Sequence, residues 1–335
     1  MQLYKPMLKQ AFQVSWRNKF LWFFGLFAVL FSSGGAYNLG FSNLEKVESQ
    51  GMWLTNIKTM VQDWPFKFQM INLEEVWSLF SLSGMLLMLF ILAIAIFFIW
   101  LAVASQGALI YGAAEAIKER NNKFNEVFKH GMQKFWPVFL LHIIFNIILF
   151  IILVLLSLPF FILFMVSASS VVWQSILVIL SFVVWVPVAI IFSIVIQYAL
   201  IYIVNENRHI GEALSKAISL FIKNWIVSLE TGFVLFFLNL VTGLALVVAL
   251  VFVALPFIML GMIAVQVASN TFLWLVITLG LLTFIVSMFW YGAFWNVFST
   301  MVWIILFERI TKGLVYSKIL RWAVMLTGQK KIENE

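Results

Sequence analysis

The chain has 335 residues, of which 64% are hydrophobic and 10% charged, with 36 Phe and 15 Trp. A water-soluble domain is about 45–50% apolar and about 25% charged, so no single soluble core could hide this much apolar surface and lipid must cover it. The absence of Cys excludes disulfides, thiolate metal sites and cysteine nucleophiles, and the net charge of +7 points to a membrane surface in place of nucleic acid.

A helix crosses a hydrocarbon core roughly 30 Å thick with about 20 apolar residues, each rising about 1.5 Å. The first such run, 20–39, follows a segment holding Lys5, Lys9, Arg17 and Lys19. That start also fits a signal peptide, with an apolar stretch over Phe20–Phe31 and small residues over Ser32–Ala36. The segment ahead of the run is long for one, and we read a retained span. A loop over 40–83 carries Glu45, Glu48, Asp63, Glu74 and Glu75 among Trp53, Trp64 and Trp77. It is too short for a domain with its own core and predicts one or two interfacial helices.

The second, third and fourth runs cover 84–114, 136–166 and 173–204. The fifth and sixth, 226–255 and 271–307, hold Glu230 as their one charge, and Pro256, Gly261 and Ser269-Asn270 supply the break between them. Four short helices here in place of two would make eight spans. The tail, 328–335, is polar and reads as disordered. The expected fold is all-α: one transmembrane domain over 1–327, about six spans paired as three hairpins. With the N-terminus in the cytoplasm, all of the 21 Lys and Arg except Lys46, Lys58 and Lys67 fall on the cytoplasmic side, facing anionic head groups, and both termini lie there.

An internal repeat organises the hairpins. Gln106-Gly-Ala-Leu-Ile-Tyr111 matches Gln197-Tyr-Ala-Leu-Ile-Tyr202, and Glu115 and Glu206 stand one helical turn past each Tyr. Each copy leads through an amphipathic stretch to a Lys and a Trp that open the next span, Lys134-Phe-Trp136 and Lys223-Asn-Trp225. The N-terminus shows the same opening in Lys19-Phe-Leu-Trp22, and the sixth run closes on Glu308. Duplication accounts for this pattern better than chance in an apolar chain. The connecting stretches keep the helical period: Phe124, Val127, Phe128, Met132 and Phe135 in one; Ile210, Ala213, Leu214, Ala217, Ile218 and Phe221 in the next; Val315, Ile319, Trp322 and Leu326 after the last span. Basic amphipathic helices beside apolar spans belong in the head-group interface. They anchor the bundle there, or sense lipid, or bind a soluble partner that the sequence does not identify.

Polar groups inside a membrane are functional candidates, because burying them is costly. They are Gln106, His142, Asn146, Gln197, Glu230, Asn239 and Asn296. His142 and Asn146 share a helix face. His142 and Glu230 stand roughly 7–9 Å past their opening Trp residues, a depth at which they can form a couple. Three roles compete: bridges between helices, a substrate or proton path, or an active site. No nucleophile with a base in reach, no paired carboxylates, no Walker motif and no metal-ligand cluster accompanies them, so neither an enzyme nor a cofactor is expected. Gly107, Ala108, Gly112, Ala113 and Ala114 mark a face for close helix contact.

The opening Ser15-Trp-Arg-Asn-Lys-Phe-Leu-Trp-Phe-Phe-Gly25, with the repeated unit of amphipathic helix and span, resembles a group of uncharacterised bacterial six-span membrane proteins. These are similar to the membrane domain attached to some glycerophosphodiester phosphodiesterases. The phosphodiesterase domain, with its acidic metal ligands, has no counterpart in this sequence. The resemblance therefore implies a bacterial cytoplasmic-membrane location and no catalysis. The expected role is a scaffold or partner in envelope or lipid homeostasis, the alternative a transporter or channel for a small or lipidic substrate.

Overall fold

The computed structural model describes residues 4–32, 82–120, 123–166, 171–267 and 269–313. Nearly all of the expected loop 40–83, the amphipathic stretch Val315–Leu326 and the tail 328–335 lie outside them. The described residues are all-α, without strands. In chain order the helices are α1 (Tyr4–Arg17), α2 (Leu21–Ser32), α3 (Leu82–Ile117), α4 (Phe124–Gln133), α5 (Phe135–Val166), α6 (Val171–Asn205), α7 (Ile210–Lys223), α8 (Trp225–Gln266) and α9 (Asn270–Thr311). Five of them, α3, α5, α6, α8 and α9, are long and apolar enough to cross a membrane, which makes this a multi-pass membrane protein. The first expected span is described only over α2.

Three units repeat along the chain, α1–α2–α3, α4–α5–α6 and α7–α8–α9, each an amphipathic helix followed by two apolar ones, of which α2 is described over 12 residues. Within each unit the two apolar helices pair, and α3, α6 and α9 touch one another at the centre. The short helix of each unit packs on the inner helix of the unit before it, α4 on α3 and α7 on α6. The first short helix, α1, packs on the last inner helix, α9, which closes the three units into a ring.

Local sequence explains the joints. The single residue Lys134 separates α4 from α5, and Asn224 separates α7 from α8. Asn224 breaks the helix with φ −130°, and its side-chain amide donates to Leu220 O at 3.2 Å. Asn18, between α1 and α2, donates to Val14 O in the same way at 2.9 Å. Each inner helix ends alike, with a left-handed residue two positions past its last turn: Glu119 (φ 58°), Asn207 (φ 54°) and Gly313 (φ 69°). After α3 this is a Schellman turn, with Arg120 N donating to Glu115 O and Glu119 N to Ala116 O.

The short helices bury narrower faces than their apolar stripes suggest. α1 buries Tyr4, Met7, Ala11 and Ser15, α4 buries Val127 and Gly131, and α7 buries Ala213, Ala217 and Phe221. Phe124, Met132 and Ile218 of the expected stripes stay exposed. The buried positions sit four apart and are mostly small, because these helices cross the inner ones at close range. A Cβ added at Gly131 would lie 2.3 Å from Ala104 O and 2.7 Å from Ala108 Cβ; one at Gly112 would lie 2.7 Å from Leu21 Cδ2. The face expected for close contact, Gly107 to Ala114, is where α2 and α4 approach α3.

One boundary departs from expectation. The fifth span is expected to end at 255, before Pro256, but α8 continues through Pro256 and Gly261 to Gln266, and α9 begins at Asn270. In lipid a broken helix exposes more unpaired backbone than the one donor proline removes, so the kink is tolerated inside the helix. Two 42-residue helices result, each about 63 Å long and roughly twice the hydrocarbon thickness.

The bundle is packed at one end only. The core gathers 102–116 of α3, 194–204 of α6 and 293–310 of α9, with the short helices around them. Away from that end every residue of α3 from Met85 to Ile99 is exposed, as are Phe150, Leu155, Leu180 and Val183 in the second hairpin and most large apolar side chains of α8 and α9 between Phe236 and Trp290.

Gly131→Val forces α4 away from the α3 backbone, and we expect a loss of about 1–3 kcal/mol in stability. Gly292→Ala, whose Cβ meets nothing within 4 Å, should be neutral or stabilising by up to about 1 kcal/mol. Thermal unfolding of both variants in one detergent checks the contrast.

Candidate functional site

At the packed end the three inner helices bring polar side chains to their common axis. α3 supplies Gln106, α6 Gln197, and α9 Asn296 and Thr300, around a cavity of about 10 Å³ closed by Ala28, Leu109 and Ile110. That volume is about one water-sized probe. Gln106 is buried, and His142 Nε2 of α5 donates to its Oε1 at 2.6 Å. Asn296 Nδ2 donates to Gly25 O of α2 at 3.0 Å. Tyr198 Oη and Ser228 Oγ are 2.8 Å apart, and since Ser228 donates to Asn224 O, Tyr198 donates to Ser228.

The expected His142–Glu230 couple is replaced. Glu230, half-buried on α8, accepts from Tyr4 Oη of α1, while His142 is held by Gln106. The two carboxyl and imidazole groups share a depth along their helices, but α5 leans on α3 and α8 receives α1, so each finds its partner in a different neighbour. Asn146 does not join the layer and is exposed: one turn past His142, α5 has left α3, and Ile147, Phe150 and Ile151 are exposed beside it. Asn239 is exposed too, accepting from Tyr291 Oη at 3.1 Å.

The repeat residues divide by depth. Gln106 and Gln197 meet at the axis. Tyr111 stacks on the His130 ring of α4 with centroids 3.9 Å apart, whereas Tyr202 meets Phe307 of α9 edge-on at 4.8 Å. Glu115 pairs with Arg120 at 3.0 Å and Lys118 at 3.4 Å, Glu206 with Arg208 at 3.6 Å and Glu308 with Lys312 at 4.0 Å. These acids therefore neutralise the basic residues that follow each inner helix. Among the described residues no three of His, Asp and Glu converge as metal ligands would.

Sequence reasoning missed Tyr4 and Thr300. Tyr4 lies ahead of the first span, but its place at the head of the Tyr4, Met7, Ala11, Ser15 period carries the signal of a buried helix face. Thr300 carries none, since a Thr that bonds its own helix backbone is ordinary in lipid.

His130 sits outside the spans, and burial pushes its imidazole below its ordinary range. Lys134 pushes the same way, while the bond from Nε2 to Val204 O at 3.3 Å and Glu115 oppose it. No family model, curated protein or solved structure matches the chain.

Two outcomes follow. A lowered folded-state value means that the unfolded chain takes up the His130 proton first, so stability holds above about pH 6.5 and falls as pH drops below it. The wild-type melting temperature should therefore decline on acidification more steeply than that of His130→Asn. Second, Gln106→Leu or His142→Phe removes the bond between them and should cost about 1 kcal/mol each. The double variant should cost less than the sum, which a double-mutant cycle reads directly.

Proposed function

We propose that this protein is a non-enzymatic membrane scaffold, acting with lipids or a partner in envelope or lipid homeostasis. The observation that carries the reading is the state of the polar layer. His142, Gln106, Glu230, Asn296, Tyr198 and Ser228 all bond across helices, and the cavity among Gln106, Gln197, Asn296 and Thr300 has room for about one water. A carrier in this state would need a wider hydrated cavity at the same place. The exposed, mainly apolar surface of the hairpins away from the packed end suits lipid or the helices of a partner.

The same reading puts the packed end at the cytoplasmic face of a bacterial inner membrane, with both termini inside. The asymmetry of Lys and Arg supports the orientation, and the resemblance to bacterial six-span proteins supports the membrane. The basic side chains at the ends of α3, α6 and α9 then meet anionic head groups.

The second reading, a transporter or channel for a small or lipidic solute, is favoured by one fact: three helices aim polar groups at one axis. Liposomes containing wild type or Glu230→Gln separate the two. For a scaffold, neither protein passes protons or small solutes, and Glu230→Gln only melts earlier because the bond from Tyr4 weakens. Flux through the wild type that Glu230→Gln loses while its fold persists would reverse the assignment.

A further inference from the structure

Most large apolar side chains of α8 and α9 between Phe236 and Trp290 are exposed. Beside the N-terminal helices this surface becomes one wall of a groove of about 320 Å³. Ala249, Leu250 and Val253 of α8 form its floor. The facing wall is aromatic and braced. Trp22 stands edge-on to Trp16, Trp290 and Phe294, at 5.5, 5.7 and 5.4 Å between ring centroids, and its indole N–H donates to Ser15 O at 3.0 Å. Such a wall is preformed and costs little ordering when something fills the groove.

The polar groups that reach the groove already have partners. Tyr291 Oη is 2.9 Å from Thr242 Oγ1, and Ser287 Oγ donates to Thr283 O at 2.8 Å. The groove therefore asks for hydrocarbon. Its edge asks for an anion: Lys19 Nζ stands exposed, 5.9 Å over the Trp16 ring. Trp136 and Trp225, near the starts of α5 and α8, also stand exposed, and the rings beside Trp136 are Phe135 and Phe139 of its own helix. The groove thus belongs to the seam where the first unit meets the third.

We propose that this seam binds one acidic phospholipid, an acyl chain lying along Ala249, Leu250 and Val253 beneath the tryptophan wall and the phosphate meeting Lys19. An apolar trough with a cation at its rim matches an amphiphile with a negative head, and a membrane-spanning chain meets that amphiphile in its own solvent. The inference needs only that the helices lie in a bilayer, and it stands whether the protein is a scaffold or a carrier.

The tryptophans report on the site. Wild type, Lys19→Gln, Ala249→Phe and Trp290→Phe are reconstituted in phosphatidylcholine vesicles with rising fractions of phosphatidylglycerol brominated on its acyl chain, which quenches nearby indoles. We expect a saturable quenching component in the wild type, diminished in Trp290→Phe. Lys19→Gln should raise the half-saturating fraction by about five-fold. Ala249→Phe fills the floor and should remove the saturable component while the exposed Trp136 and Trp225 are still quenched by bulk lipid, which also shows that the variant is folded and inserted. Quenching that rises in proportion to brominated lipid, equally for phosphatidylcholine and phosphatidylglycerol, would mean bulk lipid only and overturn the site. So would a saturable component that survives Ala249→Phe, or one that Lys19→Gln leaves unmoved.

Discussion

An apolar helix gains almost nothing by exchanging hydrocarbon tails for another apolar helix, so helices in lipid adhere where backbones can approach closely or where polar side chains have no water to turn to. This constraint explains why the bundle is packed at one end and open at the other. Where α3 offers Ala108 and Gly112, α2 and α4 come close enough that a Cβ added at Gly112 or at Gly131 would collide. Where Gln106, His142, Glu230 and Asn296 occur, each finds a partner on another helix. Beyond these residues Leu, Ile, Val and Phe predominate, several hydroxyls bond back to their own helix, and most large apolar side chains are exposed.

The repeat gives three similar units but not three equal seams. At the first, Gly131 of α4 sits on the α3 backbone. At the second, α6 carries Tyr198 and Ile203 where α3 has Gly107 and Gly112, and the space is filled by a Tyr198–Ser228 bond, an edge contact to Trp303 and a tilted contact to Phe307. At the third, α1 meets α9 through a tryptophan cluster. Glu230 and Asn296, the most conspicuous polar residues of the last two runs, both serve this third seam, one accepting from Tyr4 and the other donating to Gly25. Their burial cost is met by closure of the ring.

Helix type, the three-unit order and the close-contact face of α3 were legible because each follows from a local pattern: apolar length, the spacing of the Gln-to-Tyr string, a run of small residues. The partners of the polar layer were not. Depth along a helix places His142 and Glu230 at one level, but which neighbour each faces depends on how α1 and α3 lie against α8 and α5, a relation between elements far apart in sequence. Pro256 misled for a related reason. Its cost is set by the surroundings of the freed carbonyl, and hydrocarbon makes continuing the helix cheaper than a loop. Asn146 shares a face with His142 on the helical wheel, yet the wheel does not record where the adjacent helix ends its contact.

The closure of the ring by α1 sets the order of assembly. α1 is made before any other described helix and packs on the one made last. Until α8 and α9 are made, the Tyr4 hydroxyl awaits Glu230 and the Ser15 hydroxyl awaits Met301. The pairing of α1 with α9 spans nearly the whole described chain, and contacts of such sequence separation form late and slowly. Until then a newly inserted molecule presents an unfilled berth on α9 and a loose amphipathic helix that matches it.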